Sequence, residues 1–91
     1  MSLQDRINAW ASVLERDLLW GSREDARSSL ELLLQYSEMT PELSKELEAF
    51  ERIMRAPRPL SKDDVTSVVQ RLAVVAKAAG PNDRAQSLLQ D

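Results

Sequence analysis

Four times in this chain a serine or threonine stands at the head of a stretch whose apolar residues return every three or four positions. Ser2, Ser22 and Ser61 are followed three residues later by Asp5, Asp25 and Asp64, and Thr40 is followed at once by Pro41. A hydroxyl in this place accepts a hydrogen bond from a free amide of the first helical turn, and an acid three residues on can answer it. Proline suits the first helical position because an amide there would have no partner. Asn82 offers a fifth, weaker start. The stops are as plain: Gly21, the Ala56-Pro57-Arg58-Pro59 run and Gly80-Pro81 each punctuate the pattern.

This spacing predicts helices over residues 3–20, 23–38, 41–55, 62–79 and 83–89, with a proline-containing connector at 56–61. Gly21 is expected as a left-handed residue closing the first helix, and the tight link after it makes the first two helices an αα-hairpin. Leu60 and Val65 have the spacing of a hydrophobic staple around the Ser61 cap. The expected inner stripes are Leu3, Ile7, Trp10, Ala11, Leu14 and Leu18; Ala26, Leu30, Leu33 and Leu34; Leu43, Leu47, Phe50, Ile53 and Met54; and Val65, Val68, Val69, Leu72, Val75, Ala76 and Ala79. Ala85, Leu88 and Leu89 would dock the short last helix. With only 2 glycines and 4% aromatic residues, the composition favours helix over sheet. The expected fold is all-α: a single small antiparallel bundle of four main helices plus a short C-terminal helix, in one domain of 91 residues.

Function is less legible. The chain has no histidine and no cysteine, which removes imidazole and thiolate metal sites, thiol nucleophiles and His-based acid-base catalysis. Asp63 and Asp64 open a helix and read as complements of its N-terminal dipole rather than as metal ligands. Glu46 lies near the border of its helix's inner stripe, where its carboxylate is expected to reach water. No catalytic residue, cofactor, metal or small-molecule ligand is indicated, and the expectation is a non-enzyme. With no apolar run near the roughly 20 residues needed to span a bilayer, and no leader pattern, the chain reads as a soluble, cytoplasmic protein without membrane contact.

The chain is acidic, with 12 Lys and Arg against 15 Asp and Glu and a net charge of −3, so its overall field disfavours nucleic acid. The charge is patterned. Residues 22–51 carry 3 basic and 8 acidic side chains, whereas residues 52–62 carry 4 basic and none acidic. Against this background one stretch stands out. On a helix through Glu38, Leu32, Tyr36 and Met39 form a second apolar side roughly 140° or more from the core stripe. Either an internal helix packs there, or another molecule does. Val13 and Trp20, one heptad apart, mark a similar flank on the first helix, open to lateral packing or left as an exposed ridge.

The expected function is a protein-protein interaction module, a small adaptor, regulator, chaperone or inhibitor. It would present Leu32, Tyr36 and Met39 to a protein partner or to a second copy in a homodimer, with Arg52, Arg55 and Arg58 as a basic rim toward an acidic partner. The alternative is a small DNA-associated transcriptional regulator using the 60–80 helix and the basic elbow at 52–62.

Overall fold

In the computed structural model, which describes residues 2–89 without the side chains of Leu88 and Leu89, the chain forms five helices: α1 (Leu3–Trp20), α2 (Arg23–Leu34), α3 (Pro41–Arg55), α4 (Lys62–Ala79) and α5 (Asp83–Leu89). The docking role expected of Leu88 and Leu89 falls outside the described side chains. Each start is held by the residue type that predicts it. The hydroxyls of Ser2, Ser22, Thr40 and Ser61 accept from the amides of Asp5, Asp25, Leu43 and Asp64 at 3.0–3.4 Å. At Ser22 the box is reciprocal, because Asp25 accepts from the Ser22 amide. Asn82 does the same service for α5, its side-chain oxygen accepting from the Ala85 amide at 2.9 Å.

The helices pack up and down around α1 and α4. α1 lies against α2 on one side and α4 on the other, and α3 closes onto α4. Thr66 near the start of α4 donates to Glu15 toward the end of α1, while Lys77 near the end of α4 donates to Asn8 near the start of α1. The two helices therefore run antiparallel. Ser29 of α2, itself buried, donates to Asp17 of α1. Between α2 and α3 the described polar link is an exposed ion pair, Arg27 with Glu51 at 2.8 Å.

One core runs through the bundle, built from Ile7, Leu14, Leu18, Leu33, Leu43, Phe50, Met54, Val65 and Leu72, with Ala11, Ala26, Ala73 and Ala76 where helices approach closely. Small residues at those points let two backbones come near without a cavity. Leu3, Trp10, Leu34, Leu47, Ile53, Val68 and Val75 sit at its margin, half covered. Trp10 thus flanks the core.

Two local expectations are corrected. Gly21 is not left-handed: its φ of −100° and ψ of −171° are extended, and its amide caps α1 by donating to the Asp17 carbonyl. Glycine is favoured there by crowding, since a Cβ would stand 3.1 Å from that same carbonyl oxygen. The left-handed glycine is Gly80, at φ 81°. The second correction concerns α2, which ends at Leu34, four residues before the expected Glu38. Gln35 and Tyr36 make a turn, and Ser37 instead forms an antiparallel bridge with Pro81. The Glu38 amide and the Tyr36 carbonyl are bonded across the molecule to Gly80 and Asn82, while the Gln35 and Ser37 amides turn back to the Leu32 and Leu34 carbonyls.

Candidate protein-contact surface

Because α2 stops early, Leu32, Tyr36 and Met39 do not form one helical stripe. Leu32 remains on the last turn of α2, 39% exposed, and Met39 stands in the extended segment before α3, 53% exposed. Tyr36, between them, is half-buried in the turn. Its ring has the guanidinium of Arg6 at 5.5 Å and that of Arg84 at 5.8 Å from its centroid. These are cation-π contacts from the starts of α1 and α5, and they hold the ring between three elements. Neither arginine was foreseen, because both lie far from residue 36 in sequence and only the packing brings them there.

The basic rim is also rearranged. Arg52 and Arg55 line a shallow depression of about 410 Å³ on α3 with Ser44, Leu47, Glu48 and Glu51. This is the side of α3 that reaches Arg27, and Arg27 and Leu32 are roughly 140° apart around α2. Arg52 and Arg55 therefore do not frame Leu32. Arg58 is tied down, donating to the Leu18 carbonyl at 3.0 Å and so capping the end of α1. The six residues singled out from sequence thus fall into three places: Leu32, Tyr36 and Met39 toward one end of the bundle, Arg52 and Arg55 on α3, and Arg58 on the elbow.

What the structure does align is a ridge on the outer side of the α1/α2 hairpin. Arg6, Val13 and Trp20 are spaced by sevens along α1 and so lie nearly in line. Arg6 faces Tyr36, which fixes that line on the α2 side, beside Leu32. Val13 is half-buried, and Trp20 is 82% exposed. The flank marked by Val13 and Trp20 is thus an open ridge at its Trp20 end. On the far side of α1, a groove of about 460 Å³ between α1 and α4 is lined by Asn8, Ala11, Ser12, Glu15, Ala73, Val74 and Lys77 among others. Three of its polar side chains are engaged, Lys77 with Asn8 and Glu15 with Thr66 beside it. Val74, 60% exposed, is the apolar residue at its lip.

The charged groups offer little chemistry. Two hydrogen bonds from Arg27, at 2.8 and 2.9 Å, hold the Glu51 carboxyl below the usual carboxylate range and raise the arginine in turn. Both groups face water. Glu46 is half-buried at the border of its stripe, as expected, with one of its two carboxylate oxygens shut off from solvent without a hydrogen-bond partner. Among the described residues no three Asp or Glu side chains converge as a metal site, and no helix is long and apolar enough to cross a membrane. No protein-family model, curated protein or solved structure matches the chain.

Proposed function

We propose that this protein is a non-enzymatic protein-interaction module that uses the outer side of its α1/α2 hairpin. The carrying observation is the placement of Trp20, Leu32 and Met39, which stay exposed by 82%, 39% and 53% although the bundle has a complete core without them. Large apolar side chains held in water on a rigid scaffold gain free energy when a partner covers them, and Trp and Met are enriched where proteins meet. Tyr36, braced by Arg6 and Arg84, would add a rigid aromatic contact with little further loss of side-chain freedom. The absence of histidine and cysteine from the sequence supports a non-catalytic role. Duplex binding through the 60–80 helix draws on less, since Arg58 and Lys77 are engaged within the fold.

The test is light scattering over a dilution series of the wild type and of a Trp20→Ser, Leu32→Ser double variant, with circular dichroism as the control for folding. Both exchanged side chains are exposed, so the variant is expected to keep its helicity and melting behaviour. A wild-type dimer that the variant loses assigns the ridge to self-association. A wild-type monomer moves the test to capture from extracts of the native host, with the variant as control. A partner or dimer retained unchanged by the variant removes the ridge from consideration.

A further inference from the structure

Nothing within residues 35–39 stops a helix. Gln35, Glu38 and Met39 are good helix formers, residues 35–40 contain no glycine or proline, and Gln35 already has α geometry at φ −53° and ψ −36°. The stop comes from elsewhere in the chain. The Glu38 amide donates to the Gly80 carbonyl at 2.9 Å, and the Asn82 amide donates to the Tyr36 carbonyl at 2.9 Å. The Asn82 side-chain amide donates to the carbonyls of Gln35 at 3.0 Å and Ser37 at 3.4 Å. Residues 35–38 are therefore held by a clasp centred on Asn82.

That clasp depends on α5. The same Asn82 side chain caps α5 through the Ala85 amide, and Arg84 covers the Tyr36 ring. A helix of 7 residues does not persist alone in water, so α5 is held by docking, with Ala85 buried to 4% exposure. Inside the clasp the Ser37 hydroxyl is buried at 5% residue exposure and has no hydrogen-bond partner. In a continued helix a serine hydroxyl reaches the carbonyl four residues back, here Leu33. The turn amides of Gln35 and Ser37 bond three residues back, to Leu32 and Leu34, and would need to shift by only one residue to take up α-helical bonding.

We infer that α2 is a helix of two lengths: clasped by Asn82 it ends at Leu34, and when α5 lets go it grows by one turn to Glu38. In the longer form Leu32 and Tyr36 share one side of the helix with Met39 following at its end, and Thr40-Pro41 sets the new limit because proline disfavours α geometry in the residue before it. The change is coupled to α5, which must give up its cap on Asn82 and its cover over Tyr36 at the same time. The inference concerns the helix alone and stands whether or not the hairpin ridge binds a partner.

The experiment is backbone NMR on the full chain with two variants. Asn82→Ala removes the side-chain half of the clasp, and Ala85→Asp places a charge where α5 docks. Loss of the through-space contact between Ser37 and Pro81 reports that the clasp is open. The expected result is that this contact disappears while the Cα shifts of Tyr36, Ser37 and Glu38 move to helical values and those of residues 83–89 move toward coil. An open clasp with residues 36–38 left in coil overturns the inference. So does survival of the Ser37–Pro81 contact in both variants, since the clasp would then not depend on α5. Unfolding of the whole bundle by the milder Asn82→Ala also overturns it, because the clasp would then belong to the stability of the core.

Discussion

The two connectors that flank α3 do the same job by different means. The elbow at residues 56–61 is written in residues that cannot be helical: Pro57 and Pro59 lack amides and constrain their neighbours, and Arg58 reaches across to the Leu18 carbonyl. The connector at residues 35–40 has no such residue before Pro41, and the carbonyls of Gln35, Tyr36 and Ser37 and the amide of Glu38 are held by bonds to Gly80 and Asn82. One connector carries its own stop and the other borrows it. A borrowed stop can be withdrawn, which makes the Tyr36 end the more changeable of the two.

The largest perturbation of this contrast is Phe50→Ala, in the core that both connectors hang from. Phe50 is fully buried, so its truncation is expected to cost about 3–5 kcal/mol in urea denaturation. If the contrast holds, the Ala56 amide at the start of the elbow, bonded to the Ile53 carbonyl at 3.1 Å, exchanges only with global unfolding and loses protection in step with that cost. The amides of Glu38 and Asn82 already exchange by local opening and change far less. Equal losses at both ends would erase the distinction.

Next in size is Gly80→Ala. Gly80 combines φ 81° with ψ −179°, a conformation essentially reserved for glycine, so alanine is expected to cost about 1–3 kcal/mol. Open space surrounds it, so the cost is conformational and not steric. Its effect should concentrate on the Glu38 amide, which bonds to the Gly80 carbonyl. Gly21→Ala is the matched control at the other glycine. Its backbone is unstrained, so the Cβ has only to displace the Asp17 carbonyl slightly, and a smaller loss of thermal stability than for Gly80→Ala is expected.

The smallest effect belongs to the ion pair between α2 and α3. The Glu51 carboxyl is lowered first by its hydrogen bond from Arg27, so its contribution is present above the ordinary carboxylate range and is lost as pH falls through the lowered value. Glu51→Gln should therefore lower the melting temperature slightly at neutral pH and leave it unchanged in acid, with the neutral-pH difference shrinking in high salt. A difference that grows on acidification would reverse the sign and exclude this pair as its source.

Much of the fold was legible because its signals are local. Ser2, Ser22, Thr40 and Ser61 each act within three residues of themselves, so their effect does not depend on what packs nearby. The inner stripes are likewise a property of one helix at a time, and Leu14, Leu18, Leu43, Phe50, Val65 and Leu72 are buried where periodicity puts them. The candidate surface was less legible. Leu32 and Met39 are exposed as an open-face reading requires, but Tyr36 is clamped by Arg6 and Arg84, residues 30 or more positions away. No local rule connects them.

By itself, then, the sequence determined that the chain is all-helical, where its helices begin, and which side of each turns inward, because caps and periodicity are interactions between near neighbours. Only the tertiary structure decided where α2 ends, what holds Tyr36, and that Arg58 serves the end of α1 while Arg52 and Arg55 lie on another face. The end of α2, the hold on Tyr36 and the place of Arg58 each turn on a backbone or side-chain group finding its partner 30 to 48 residues away. Such a partner has no signature in the local pattern until the helices are packed.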